Sequence, residues 1–144
     1  MSSKIPTCHS AVVKSTPSAI IKLYKMLLTK LKTNNFCQND IFAIHLALEE
    51  AFINAVTHGN GANQDKTIKI EYSVDSDKIE ISMTDEGEGF DSEVVPDPRY
   101  GNNLYKPNGR GLLLMRSYMD VVNFNARGNC VHMVKHKSRE SVIS

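Results

Sequence analysis

Apolar residues recur at helical spacing in the first third of the chain. Behind Thr16 and Pro17 this pattern predicts an amphipathic helix, with Thr16 as its N-cap and Pro17 at the first helical position. The segment AVVK just before it predicts a short strand at the end of a leading loop. The expected core stripe of the helix is Ile20, Leu23, Leu27 and Leu31.

A second helical pattern follows a short polar break. It predicts a helix from Ile41 to about His58, with Asn39 or Asp40 as its N-cap. Its apolar side chains again fall three or four residues apart, so one face is expected to enter the core. That second stripe is Ile41, Ile44, Leu48, Phe52 and Val56.

From residue 67 onward, apolar and polar positions alternate instead. Residues 67–74 and 78–84 flank DSD and predict an antiparallel hairpin, and VVNFN and CVHMVKHK, joined by ARGN, predict another. Between them, residues 91–108 show no clear period, as is typical of a functional lid, and GRGLLLMRSYMD restarts a helix. The element order predicts an α+β two-layer sandwich, with a mixed, mostly antiparallel sheet and helices on one face.

Composition narrows the class of protein. The 144 residues suit one domain, 1–144, and 41% hydrophobic with 23% charged residues is typical of a globular domain. A formal charge of +1 gives no support for binding nucleic acid or an anionic membrane. No apolar run approaches ~20 residues and the N-terminus has no secretory h-region, so we expect no membrane span and no export. Three cysteines without a CxxC motif favour free thiols in a reducing cytoplasm.

A polar face interrupts the second predicted helix. Glu50, Asn54 and His58 are spaced i, i+4, i+8 and therefore share one side of the helix. This face is a ligand site or an ordinary solvated surface, and the spacing alone does not choose between them. Glu49 points about 100° away by helix geometry, which indicates a solvated or partner-facing charge.

Two glycine-containing segments add candidates. Asp85-x-Gly87-x-Gly89 follows a predicted strand, where glycines permit close backbone approach to a ligand or simply a tight acidic turn. Gly109 and Gly111 precede the last predicted helix, whose free N–H groups and dipole suit an anion. A flexible hinge and helix cap is the alternative for that segment.

Taken together, these segments resemble one family. The helix LEEAFINAVTHGN, the post-strand MTDEGEGFD and the helix-opening GRGLLLMRSYMDVV match in order and spacing the N-box, G1 and G2 motifs of the GHKL ATPase superfamily. Within it the chain most resembles bacterial anti-sigma-factor serine/threonine kinases. The motif-bearing part spans about 39–137, and the resemblance implies a Bergerat-type ATP-binding fold.

The resemblance also implies residue roles. Asn54 is expected to be the Mg²⁺ ligand that bridges to the triphosphate, Glu50 the general base, and Asp85 the acceptor for the adenine 6-amino group. For His58 a structural or capping role is the alternative to a phosphate contact, and the Arg110 side chain could equally point to solvent. The further ATP-binding residues expected from the resemblance are His58, Gly87, Gly89, Gly109, Arg110, Gly111 and Leu112.

The implied function is that of an ATP-dependent serine/threonine kinase. Its implied substrate is a STAS-type anti-anti-sigma protein, with a sigma factor as a second partner, and relatives often form homodimers. Two alternatives stay open: a nucleotide-binding interaction module without catalysis, and a histidine-kinase-like ATPase domain acting in trans. One departure concerns a Gly-Thr pair of many relatives, whose hydroxyl helps to hold the adenine-binding Asp, because Gly128 and Asn129 occupy its place.

Overall fold

The computed structural model describes residues 8–61, 63–87 and 113–138. It contains five strands and two long helices, with helical residues 113–118 before the fourth strand. In chain order the elements are β1 (His9–Lys14), α1 (Ala19–Thr33), α2 (Gln38–Asn54), a π-helical turn (Ala55–Gly59), β2 (Thr67–Val74), β3 (Lys78–Thr84), β4 (Val121–Phe124) and β5 (Cys130–His136).

The strands form one sheet in the order β1-β2-β3-β5-β4. Each neighbouring pair is antiparallel, and the register places Ile70 opposite Met83 and Met83 opposite Val131. Alternate residues therefore line one face with apolar side chains across the sheet. The predicted α+β class and both predicted hairpins are confirmed, and every strand pairing in the described part is antiparallel.

The apolar face of the sheet and the two long helices enclose one hydrophobic core. Leu27 and Leu31 of α1 and Ile44 and Phe52 of α2 are fully buried, as the two helical stripes predict. Each such side chain contributes ~1.5–3 kcal/mol through removal from water. Ile20 is only partly buried and packs against the edge of this core. The opposite face of the sheet carries polar side chains and surface ion pairs such as Lys78–Glu80.

The start of α1 differs from the prediction. The α-helix begins at Ala19, and its N-cap is Ser18, which makes no side-chain capping bond. Thr16 instead opens a tight turn in which its carbonyl accepts from Ala19 N at 3.1 Å. Thr16 as N-cap and Pro17 at the first helical position were therefore wrong, because this turn precedes the α-helical hydrogen bonds.

The start of α2 also differs from the prediction. Its N-cap is Cys37, whose Sγ accepts from Asp40 N at 3.5 Å, so neither Asn39 nor Asp40 has that position. The Asp40 carboxylate is buried inside the first turn and accepts from Ser138 N at 2.9 Å. A tertiary contact with the chain beyond β5 thus uses the side chain that local propensity assigns to the cap.

The end of α2 changes its hydrogen-bond pattern. The α-helix stops at Asn54 and continues as the π-helical turn to Gly59, which covers the predicted end near His58.

In the described part of the chain, neither long helix combines the length and apolar character that crossing a bilayer requires. The predicted lid, residues 91–108, lies outside the described residues.

Candidate nucleotide site

The last turns of α2 present a carboxylate and an amide one helical turn apart. Glu50 and Asn54 are both half-buried. Neither side chain has a hydrogen-bond or ion-pair partner among residues 8–61, 63–87 and 113–138. By contrast, neighbouring Glu49 pairs with His45 at 3.4 Å. Oxygen atoms of Glu50 and Asn54 are therefore available to a ligand on this face of the helix.

The π-helical turn leads from this face toward the end of β3. His58 lies within it and is exposed, yet local desolvation lowers the pKa of its imidazole below the usual value. Desolvation therefore favours the neutral form of the ligand-free imidazole. A neutral imidazole offers no electrostatic attraction to a phosphate. The phosphate contact of His58 therefore stays a prediction, without support from charge.

Asp85 begins the turn after β3. Its Oδ1 accepts from Gly87 N at 2.8 Å, which folds the main chain back on the carboxylate. Asn129 fixes the main chain from the other side: its carbonyl accepts from Asp85 N at 2.9 Å, and its Nδ2 donates to Asp85 O at 3.3 Å. Asn129 thus holds the main chain of Asp85 through both its own main chain and its side-chain amide.

Gly59 at the end of the π-helical turn meets this acidic turn with no space between them. A Cβ on Gly59 would lie 2.2 Å from Asp85 Oδ2, and one on Gly87 would lie 1.8 Å from Gly59 O. Real Cβ atoms do not approach other atoms so closely. A Cβ on Gly59 would therefore have to displace the Asp85 side chain, whereas one on Gly87 would meet the main chain of Gly59. This contact brings Asp85 to the end of the helix that carries Glu50 and Asn54.

The Asp85 carboxylate is a hydrogen-bond acceptor that is partly removed from water. Burial raises the pKa of its carboxyl, while the Gly87 N–H bond and the positive charges of Lys66 and Arg127 act in the opposite direction. Arg127 also donates from Nη2 to Gly87 O at 3.5 Å. A hydrogen bond from a ligand to this carboxylate is strengthened, because water competes less for it.

Three residues that hold the acidic turn were not singled out from the sequence. Glu86 Oε2 accepts from Thr67 N at 2.6 Å and from Thr67 Oγ1 at 2.7 Å. Its own N–H donates to Asn60 Oδ1 at 2.7 Å. The only local signal is the polar, glycine-rich character of HGNG, which indicates a turn and not the partners of Asn60.

The oxygen donors on α2 fit the Mg²⁺ that the resemblance implies. No group of three or more His, Cys, Asp and Glu capable of holding a metal occurs in the described part of the chain. Mg²⁺ needs few protein ligands because it keeps several waters and the phosphate oxygens of its nucleotide. The Asn54 amide oxygen, which has no partner among the described residues, and the Glu50 carboxylate one turn away are a suitable donor set.

The structure describes only part of the predicted site. It brings together the end of α2 and the turn at Asp85 and Gly87. The remaining predicted contacts, which belong mainly to the phosphate-binding segment, lie outside the described residues: Gly89, Gly109, Arg110, Gly111 and Leu112.

Known proteins match the chain over the elements that build this site. A family model described as histidine kinase-like ATPase domain matches residues 13–135. Serine-protein kinase RsbW of Bacillus licheniformis is 32% identical over 117 residues, which cover 74% of this chain and 71% of that protein. RsbW of Listeria monocytogenes is 27% identical and is covered over 93% of its length. The anti-sigma F factor of Clostridium beijerinckii is 28% identical over 109 residues, 74% of this chain and 76% of that protein.

The matched span runs from β1 to β5 and so includes α2, the π-helical turn and the acidic turn. It begins in the last two residues of β1 and ends one residue before the end of β5, so the similarity covers nearly all of the folded unit. The chain therefore belongs to the histidine kinase-like ATPase family and, within it, to the anti-sigma-factor kinase group that includes RsbW and the anti-sigma F factor.

Proposed function

We propose that this chain binds Mg-ATP and transfers the γ-phosphoryl group to a serine or threonine hydroxyl of a STAS-type anti-anti-sigma protein. The kinase is a cytoplasmic homodimer that sequesters a sigma-type regulator. In its unphosphorylated form the STAS-type partner competes with that regulator for binding to the kinase. One observation carries the proposal: Glu50 and Asn54 have no hydrogen-bond or ion-pair partner within the described part of the chain, and they lie on the helix whose end contacts Asp85 through Gly59.

Adenine recognition is assigned to Asp85. Its carboxylate is an acceptor, and the 6-amino group of adenine is a donor, whereas guanine presents an acceptor oxygen at the same position. Two acceptors facing one another leave both unsatisfied in a partly desolvated site, which costs ~1–3 kcal/mol. The turn therefore favours ATP over GTP.

Phosphoryl transfer is assigned to the last turns of α2. Mg²⁺, when bound with ATP, neutralises the developing charge on the phosphate oxygens. Asn54 supplies an amide oxygen for its coordination. The Glu50 carboxylate takes the proton of the attacking hydroxyl as the new oxygen–phosphorus bond forms and the bond to the ADP oxygen breaks. Retention of this carboxylate favours a working kinase over a nucleotide-binding module without catalysis.

The partner assignment is supported by the similar proteins. RsbW is named a serine-protein kinase, and the Clostridium protein is named an anti-sigma factor. The printed name of RsbW favours a hydroxyl acceptor over the histidine acceptor of the histidine-kinase alternative.

The deciding experiment is calorimetric titration with ATP, with and without Mg²⁺, followed by transfer of label from γ-labelled ATP to a STAS-type protein. We expect Mg²⁺-dependent binding that Asp85→Ala abolishes, and label that is stable to acid as in a phosphoserine or phosphothreonine. Asp77→Ala is the matched control, because Asp77 lies in the β2–β3 turn at the opposite end of β3. Absence of ATP binding by the wild type would refute the proposal.

A further inference from the structure

Asn60 is a buried polar residue in the centre of the described site. Its exposed fraction is 2%, and it directly follows the π-helical turn. The side chain uses both ends: Nδ2 donates to Ser15 Oγ at 3.0 Å and to Thr67 O at 3.1 Å, while Oδ1 accepts from Glu86 N at 2.7 Å. Both donor hydrogens and one lone pair of the oxygen are therefore used, which distinguishes the two ends of the amide and fixes its orientation.

The three partners belong to three separate segments. Ser15 follows β1, Thr67 begins β2, and Glu86 belongs to the acidic turn after β3. The main chain of Asn60 is tied to the helix end, because its N–H donates to Ala55 O at 2.8 Å. One side chain therefore connects the end of α2 with the acidic turn and with the sheet between them.

The bond to Glu86 N concerns the nucleotide site directly. Glu86 lies between Asp85 and Gly87, the two residues that pack against Gly59. Fixing the Glu86 amide fixes the turn on both sides of it. If this acceptor is removed, a partly buried N–H loses its partner, and the turn becomes free to move away from the helix.

We propose that Asn60 is a positioning residue of the nucleotide site, which sets the separation between Asp85 and the α2 residues Glu50 and Asn54. A nucleotide that binds at both places has a fixed reach from adenine to triphosphate, so both ends are satisfied only when that separation is held. The expected loss of ATP affinity rests on the proposed function. The fixing of the acidic turn by Asn60 does not, and it can be measured without ATP.

The test compares Asn60→Ala with Ser15→Ala. Asn60→Ala removes the acceptor for Glu86, so we expect faster hydrogen exchange at the Glu86 amide without nucleotide and at least about tenfold weaker ATP binding. Ser15→Ala removes another partner of the same amide at a fully buried position. It is expected to lower the melting temperature while Glu86 exchange and ATP affinity stay unchanged.

Asn60→Asp is the conservative variant. It keeps an acceptor oxygen for Glu86 N and loses the donor to Thr67, so protection of the Glu86 amide and ATP affinity should recover relative to Asn60→Ala. In a phosphotransfer assay the Asn60→Ala defect should appear in KM for ATP more than in kcat. This variant also decides the matter if Asn60→Ala does not fold: fast exchange at Glu86 in Asn60→Asp would overturn the proposal.

Two further results would overturn it. One is a folded Asn60→Ala with wild-type Glu86 exchange and ATP affinity, and the other is an equal loss of affinity in Ser15→Ala. Failure of the wild type to bind ATP would instead refute the proposed function. In that case exchange at Glu86 without nucleotide still decides whether Asn60 holds the turn.

Discussion

Gly59 lies against the carboxylate of Asp85 so closely that a single added carbon on Gly59 would come within 2.3 Å of both Cγ and Oδ2. The two residues are 26 positions apart in the chain. Gly59 ends the π-helical turn after α2, and Asp85 begins the turn after β3. Their contact joins the two halves of the proposed ATP site, so a side chain added at Gly59 is expected to disturb ATP binding.

Gly59→Ala should weaken ATP binding without unfolding the domain. The new methyl group must displace the Asp85 carboxylate from its place beside the helix, which removes the acceptor for adenine. We expect at least about tenfold lower affinity, or ~1.4 kcal/mol, measured by calorimetry.

Gly61→Ala is the matched control for this glycine. Gly61 has φ +62° with no atom within 4 Å of a built Cβ, so alanine there is strained but meets nothing. It should lower the free energy of unfolding by about 1–2 kcal/mol and leave ATP affinity unchanged. An equal loss of ATP affinity in both variants would show that general destabilisation, not displacement of Asp85, is responsible.

Asp85→Asn should stabilise the nucleotide-free protein at neutral pH. The same variant should lose the preference for ATP over GTP. Burial raises the pKa of Asp85 in the folded state, so the stability contribution of this carboxyl is present below its unfolded pKa and is lost as pH rises through the folded pKa. The variant should therefore have the higher melting temperature at pH 7 and lose that advantage toward pH 4. A lower melting temperature at pH 7 would contradict the prediction.

Glu86→Gln should show the opposite pH dependence. The Thr67 hydroxyl, and then the Thr67 N–H, lower the pKa of Glu86 by hydrogen bonding to its carboxylate. The resulting stability is present above the unfolded pKa and is lost as pH falls through the folded pKa. Thermal unfolding should show Glu86→Gln below wild type at neutral pH, with the difference vanishing in acid.

Thr67→Val tests the cause of that difference. It removes the hydroxyl donor and keeps the main-chain N–H, so its effect should have the same sign as Glu86→Gln and a smaller size. If Thr67→Val loses as much thermal stability between neutral and acid pH as the wild type does, the hydroxyl is not the main source of the lowered Glu86 pKa.

Glu50→Ala should abolish phosphoryl transfer and leave ATP binding intact. Loss of a positioned general base typically reduces a rate by ~10²–10⁴-fold. Glu49→Ala removes the adjacent carboxylate, which pairs with His45, and serves as the control that retains transfer. Measurable transfer at the wild-type rate in Glu50→Ala would refute the assignment of Glu50 as the base.

The sequence by itself determined the elements and the core. Leu27 and Ile44 are buried because a stripe at helical spacing must leave water wherever the helices pack. The alternating strands and the resemblance of three motifs identified the family and pointed to Glu50, Asn54 and Asp85. These features depend on residues within one helical turn or one strand, which is the range that periodicity and local motifs describe.

Only the tertiary structure decided which distant residues hold the site together. Cys37 caps α2, and the Asp40 carboxylate accepts instead from Ser138 N, nearly a hundred residues away in the chain. Asn60 and Gly59 have their roles because the chain returns after β3 to the end of α2. Hydrogen-bond partners and steric clearance at such a junction are set by the relative placement of whole elements, and no local pattern in the sequence encodes that placement.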